Sequence, residues 1–280
     1  MANIYLDNFK KSHDYLVCID SDGTAMDVMN VKHIKCFGPC FVSEWKLEEH
    51  REDVLKLWNK INLFTATRGK NRFITLLDIL TRYNGTYLQL EDLGVFRRWV
   101  ENTRELSNQS LMEEIQRFDS ITLRNVLNWS IETNKAIAAL TFEDKKPFEG
   151  VRECLACAQD KADIAVISSA GFDVIHEEWE QFDLLQYIEV MVGQEIGSKK
   201  HSIEMMLMKG YDRNKVIKLG DALTDYDAAK ENGILFYPIL PGKEVESWEH
   251  FRNYYLDELT AGNYPKYQAE LVNQFENILK

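Results

Sequence analysis

The sequence predicts an α/β protein: a parallel sheet with helices on both faces, and an all-helical domain inserted after the first strand. Three observations predict it. Residues 16–19 form a short apolar run, the length of a buried strand, that stops at a carboxylate. Between about residues 47 and 140 helical patterns dominate. From Pro147 onward, short apolar runs alternate with helical patterns, as they do when parallel strands are joined by crossover helices.

Residues 1–14 read as a short leader before the first strand. After Asp27 comes VMNVKHIKCFGPCFVSEW, and its Gly38-Pro39 pair reads as a break where the chain leaves the core. The segment LEEHREDVLKLWNKINLF places Val54, Leu55, Leu57, Trp58 and Ile61 at helical spacing, and NRFITLLDILTRY does the same with Phe73, Ile74, Leu77 and Leu80. LGVFRRWVENTREL, LMEEIQRF and LRNVLNWSIETNKAIAAL continue the pattern. Breaks fall at Arg68-Gly69-Lys70-Asn71, Asn84-Gly85 and Ser107-Asn-Gln-Ser110. The pattern changes at Pro147-Phe-Glu-Gly150. Thereafter strands are expected at residues 162–167, in IEVMVG, at 216–219 and in ILFYPIL, with helices between them and a helical tail from Gly242. The expected domains are residues 1–30 with 145–280 as the α/β core, and 31–144 as the inserted helical domain, with linkers near 27–45 and 141–149.

At 280 residues the chain is long enough to bury a sizeable core. Its net charge of −12 argues against a broad surface for nucleic acid or anionic membrane. A phosphorylated substrate is compatible with that charge, because a metal and a few cations reverse the potential inside one cleft. No apolar run is long enough to span a membrane, and the start, MANIYLDNFKKSHDY, has no signal-peptide core, so a cytoplasmic location is expected. Five cysteines, an odd number without a signal peptide, argue for reduced thiols. Cys154 and Cys157 lie in a helical pattern, and their spacing against Cys36 and Cys40 does not suit a zinc site.

Chemistry concentrates at strand ends. The first strand runs into Asp20-Ser-Asp22-Gly-Thr24, which sets two carboxylates at the carboxyl edge of the sheet, where open α/β folds place ligands. Two acids this close call for a cation, and Mg²⁺ favours carboxylate oxygens with water and phosphate. A solvated turn is the plain alternative. The second expected strand ends at Ser168-Ser169, which read either as helix-capping serines or, with the N–H groups towards Gly171, as donors to an anion. Lys199 and Lys200 open a helix, where cations are unfavourable unless an anion is bound. The strand at 216–219 ends at Gly220-Asp221, with Asp225 one helical turn on.

These four stretches, in this order, resemble the four motifs of the haloacid dehalogenase-like hydrolase superfamily, beginning with D-x-D-G-T. The resemblance implies a Rossmann-like core with a helical cap inserted after the first strand. It implies that Asp20 is a nucleophile forming an aspartyl-phosphate, and that Asp22 is the general acid and base. It implies that Ser168 bonds a phosphoryl oxygen, that Lys199 (with Lys200 as the other register) neutralises phosphate and nucleophile, and that Asp221 and Asp225 serve Mg²⁺ together with Asp20 and the main-chain carbonyl of Asp22. Asp225 rather than Asp227 matches the four-residue spacing of G-D-x-x-x-D.

Substrate choice is expected in the inserted domain, where Thr67-Arg68-Gly69-Lys70-Asn71-Arg72 is a basic stretch in an acidic protein. Arg68 is the candidate to grip an anionic part of the substrate, against the alternative of a solvated interhelical loop. Lys32 and His33 lie near the same entrance by sequence, and Trp248 reads as core. The acid at Asp22 favours phosphate-ester hydrolysis, since the superfamily's ATPases typically carry Thr there and its dehalogenases lack an acid. The sequence thus points to a Mg²⁺-dependent phosphatase on a small phosphorylated metabolite, as a monomer or small homo-oligomer without nucleic-acid or membrane partners. A phosphomutase on a sugar phosphate and a non-catalytic binding protein are the alternatives.

Overall fold

Five strands, β1 (Tyr15–Ile19), β2 (Ala162–Ile167), β3 (Val190–Val192), β4 (Val216–Gly220) and β5 (Leu235–Pro238), form one parallel sheet in a computed structural model that describes residues 4–280. Their order is β3-β2-β1-β4-β5. The chain's first strand is therefore the central one, with Cys18 opposite Ala165 on one side and Lys218 on the other. The strand order reverses at β1, so its carboxyl end opens onto the crevice that such sheets offer to ligands. The polar start of the sequence lies partly outside the described residues, at positions 1–3.

Both faces of the sheet are buried. Leu16 and Cys18 join one apolar layer with Ala165, Ile167, Val216 and Phe236. Val17 and Ile19 join the other with Ile164, Val166, Ile217 and Tyr237. Burial on both faces is why these strands read as continuous apolar runs instead of alternating ones. The helices Val151–Ala158, Phe172–Gln181, Lys199–Leu207 and Leu223–Asn232 supply the cover. The tail adds Glu244–His250, a π-helical turn Phe251–Tyr255, Leu256–Thr260 and Pro265–Ile278. Trp248 and Phe251 enter one layer and Phe275 the other. A short helix, Ile4–Asn8, precedes β1.

By its own contacts the chain divides into two compact units. One holds the described chain up to Met29 together with Phe142–Lys280; the other is Asn30–Thr141. The second unit is all helical: Arg51–Phe64, Arg72–Tyr83, Leu93–Asn102, Asn108–Arg117 and Ile121–Ala138 follow a first helical stretch. Its core is rich in large rings, including Phe41, Trp58, Tyr83, Phe96, Trp99 and Trp129. Side chains cap three of these helices, with Asn71, Ser107 and Ser120 each accepting from an N–H of the first turn. In the helix Arg72–Tyr83 the buried stripe is Phe73, Leu76, Leu77 and Leu80, flanked by Ile79, whereas Ile74 is exposed. Ile74 sits one residue off the i, i+3, i+4, i+7 pattern that the other four satisfy.

The expected break at Gly38-Pro39 is not a break. A π-helical segment, Lys32–Phe37, passes directly into the helix Gly38–Glu44. The Gly38 N–H donates to the His33 carbonyl, closing the wider turn, and Pro39 falls in the first turn of the next segment. A proline there loses no hydrogen bond that the helix needs. The stretch expected as a linker after Asp27 is likewise helical from Val28.

Candidate active site

The site is built at the carboxyl ends of β1, β2 and β4. Asp20 follows β1 and keeps one further ladder bond, its N–H donating to the Leu219 carbonyl at 3.0 Å. The chain then turns sharply. The Ser21 carbonyl accepts from the N–H groups of Thr24, Ala25 and Met26, and Gly23 takes φ 80°, a left-handed conformation that a side chain would strain. Two buried tryptophans hold this loop: Trp179 Nε1 donates to Ser21 Oγ at 3.0 Å and Trp248 Nε1 to the Thr24 carbonyl at 2.8 Å. Trp248 is thus core, and also a clamp on the first motif.

Asp20 is nearly fully buried and both its oxygens are engaged. Oδ1 accepts from the Ser21 N–H at 2.9 Å, and Oδ2 from Lys199 Nζ at 2.8 Å. Asp221, fully buried at the end of β4, accepts from Thr24 Oγ1 at 2.6 Å. Asp225 lies in the first turn of the helix Leu223–Asn232, where the helix dipole favours an acid. It packs directly on Gly220: a Cβ at that position would lie 2.3 Å from the Cβ and Cγ of Asp225. The glycine of the fourth motif is thus required by the aspartate four residues after Asp221. Single oxygens of Asp20, Asp221 and Asp225 all lie within 4.8 Å of one another. The half-buried Asp22 lies beside Asp20 in the turn, and its carboxylate is not part of that group of three.

Two ammonium groups enter this acid cluster. Lys199 is the first residue of its helix, set by Ser198, whose Oγ accepts from the His201 N–H. Its Nζ lies 2.8 Å from Asp20 Oδ2 and 2.8 Å from Asp225 Oδ1. Lys200 points elsewhere and pairs with Glu231 at 3.2 Å on the exposed side. The second ammonium is Lys218, from the middle of β4, fully buried and 3.1 Å from Asp225 Oδ1. The sequence reading passed over it. A lysine inside the apolar run Val216-Ile-Lys-Leu219 was the available signal, since a charge in a strand covered on both faces needs a partner.

Ser168 closes β2, with its N–H bonded to the Val192 carbonyl at 3.0 Å and its Oγ accepting from the Ala170 N–H at 3.2 Å. That contact leaves the hydroxyl hydrogen available to donate. Ser169 is exposed. The next helix begins just beyond Gly171. The Phe172 N–H is taken by the Glu195 carboxylate, at 3.1 Å from each oxygen, so an anion of the chain itself already sits there. Arg68 belongs to the helical unit, where it is buried and its Nη1 donates to the Leu63 carbonyl at 3.0 Å. Nearby Arg72 stacks over the Phe37 ring, 4.9 Å from its centroid. Burial and the charges of Arg68, Lys32 and Arg72 push His33 down to about 3, so it stays neutral.

The electrostatics of the cluster follow from burial. Burial pushes the Asp20 carboxyl up to about 6, with Lys199 acting against it and Asp225 adding to it. Burial opposes ionisation of Asp225 as well, but Lys199 and Lys218 hold it below the ordinary carboxylate range. Burial disfavours the Lys199 ammonium, yet Asp20 and Asp225 raise it well above its usual value. Lys199 and Asp225 are charged at neutral pH.

Comparison with known proteins gives the class. A family model for haloacid dehalogenase-like hydrolases matches residues 80–239, a span that includes Ser168, Lys199, Asp221 and Asp225 but not Asp20 or Asp22. No curated protein sequence matches the chain. Among solved structures, a provisionally named phosphoglycolate phosphatase from Lactobacillus delbrueckii subsp. bulgaricus is 14% identical, with 90% of this chain and 99% of that chain covered at a TM-score of 0.53. A provisionally named phosphatase from Clostridium difficile is 18% identical, with 81% and 86% covered at a TM-score of 0.51. At such identities these structures share the fold. The family model spans more than half of the chain, and the protein belongs to the haloacid dehalogenase-like hydrolases.

Proposed function

We propose that the protein is a Mg²⁺-dependent phosphatase that hydrolyses a small phosphorylated metabolite through an aspartyl-phosphate on Asp20. The observation that carries this reading is Lys199 Nζ bridging Asp20 Oδ2 and Asp225 Oδ1, at 2.8 Å each, beside the half-buried acid Asp22. A nucleophilic carboxylate approaching a phosphate needs its charge offset by a fixed cation, and Lys199 is that cation.

The donor set suits a hard divalent ion. Asp20, Asp221 and Asp225 offer carboxylate oxygens within reach of one another, and Asp225 Oδ2 is a buried oxygen with no hydrogen-bond partner. These three would hold Mg²⁺, with the main-chain carbonyl of Asp22 as a further oxygen. Bound there, the ion supplies Lewis-acid neutralisation of the phosphoryl oxygens.

In the reaction, an oxygen of Asp20 bonds to phosphorus as the bond from phosphorus to the leaving oxygen breaks. Asp22 gives its proton to that oxygen. The Ser168 hydroxyl and Lys199 hold phosphoryl oxygens. Water then bonds to phosphorus, Asp22 takes its proton, and the bond between Asp20 and phosphorus breaks to release phosphate. Ser169 is a further proposed donor to the phosphoryl group, and the helical unit, with Arg68, is the proposed source of substrate choice. Hydrolysis of p-nitrophenyl phosphate with Mg²⁺ and with EDTA, wild type beside Asp20→Asn, tests this reading. Metal-dependent release that the variant lacks supports it. Equal release by a folded Asp20→Asn protein refutes it. Transfer of the phosphoryl group to a second sugar hydroxyl instead of water would identify a mutase.

A further inference from the structure

Lys218 has no part in the four motifs, yet it touches two of the elements that carry them. Its Nζ lies 3.1 Å from Asp225 Oδ1 and 3.3 Å from the carbonyl of Ile167, the residue before Ser168. Its strand neighbour Val216, and Leu16 and Cys18 on β1, belong to an apolar layer. An apolar side chain would suit position 218, and burying an ammonium group there costs free energy that only good partners offset. The lysine therefore needs a reason beyond packing.

That reason lies in how Asp225 is shared. Asp225 Oδ1 receives both Lys199 and Lys218, while Lys199 also reaches Asp20. The contacts form one chain: the Ile167 carbonyl, Lys218, Asp225, Lys199, Asp20. It ties the main chain at the end of β2, through Lys218 of β4 and the two helices that carry Asp225 and Lys199, to the end of β1. Without Lys218, the buried Asp225 carboxylate would have Lys199 as its one ammonium partner, and the stronger mutual pull would draw Lys199 away from Asp20. We infer that Lys218 is a positioning residue: by satisfying Asp225 it leaves Lys199 free to serve Asp20 and the phosphoryl group. The kinetic consequence rests on the phosphatase reading; the structural one does not.

Lys218→Met, which keeps the stem and removes the charge, tests the inference. In its crystal structure Lys199 is expected to keep its bond to Asp225 and lose its bond to Asp20. Calorimetry with inorganic phosphate in the presence of Mg²⁺ is expected to show binding weakened about tenfold, while stabilisation by Mg²⁺ alone persists. With p-nitrophenyl phosphate, kcat should fall at least about tenfold, more than KM rises. Lys199 still bridging both aspartates, or phosphate affinity and kcat equal to wild type, would overturn the inference. Should Lys218→Met not fold, Lys218→Gln removes the charge and keeps a polar donor. Lys199 parted from Asp20 in the crystal structure of that variant supports the inference, and Lys199 still bridging both aspartates overturns it. If the wild type hydrolyses no ester, the crystallographic and calorimetric readings still decide the role of Lys218, and the phosphatase reading fails separately.

Discussion

Asp20 is pulled in two directions. Burial raises its carboxyl to about 6, while Lys199 draws it towards ionisation. A carboxyl raised in the folded state contributes stability that is full below its unfolded value and is lost as pH rises through the folded one. Between about pH 4 and 6 the metal-free protein therefore loses stability on this account, on the order of 2 kcal/mol. Asp20→Asn should melt higher than metal-free wild type at pH 7.5, with the gap closing towards pH 4; thermal scans across that range check it. Thr24 makes a second case at this scale. Its hydroxyl donates to Asp221 at 2.6 Å, which holds a proposed metal ligand in place. Thr24→Val should weaken Mg²⁺ binding about tenfold while leaving the melting temperature of the metal-free protein within a few degrees of wild type, measured by titration calorimetry. The sequence displayed Thr24 as a motif letter; its partner, 197 residues away, is set by the pairing of β1 with β4.

Elements were legible where one physical signal dominated. Residues 162–167 are apolar apart from Asp163 because β2 is buried on both faces, and that run marked the strand at its observed bounds. Gly38-Pro39 misled because a glycine–proline pair usually stops a helix, while a π-helical turn here moves the proline to a position where its missing N–H does no harm. Lys218 was missed because strand recognition counts apolar residues and overlooks one charge among them. Asp163 is a similar case at the other end of β2. It is fully buried and accepts from the N–H groups of Ser12 and His13 at 3.0 Å each, from His13 Nδ1 at 3.0 Å, and from the hydroxyls of Ser12 and Tyr211. Burial opposes its ionisation, but these donors hold the carboxyl below the ordinary range. A depressed carboxyl gives stability that is present above its unfolded value near 4 and lost as pH falls through the folded one. Asp163→Asn should therefore cost about 1–3 kcal/mol at pH 7 and progressively less in acid, as urea unfolding at two pH values would show.

On the scale of the molecule, a chain with net charge −12 buries two lysines against three aspartates at one sheet edge. Composition argued against polyanion surfaces, and it could not locate this local balance, which depends on three separate segments of the sequence, at Asp20, at Lys199 and at residues 218–225. The two units have separate cores, one built on the sheet and one on packed aromatic helices. No helix of the described residues is long and apolar enough to cross a membrane. What the inserted unit recognises was not legible, because Arg68 and its neighbours form no motif whose chemistry names a substrate. The proposed mechanism requires Asp20 to become phosphorylated during turnover. Rapid acid quench of the protein with Mg²⁺ and an excess of a hydrolysed phosphate ester, followed by peptide mass spectrometry, tests it most directly. A phosphoryl adduct is expected on the peptide carrying Asp20, absent with EDTA and absent in Asp20→Asn. An ester hydrolysed at full rate with no adduct on that peptide, or with the adduct on another residue, would contradict it.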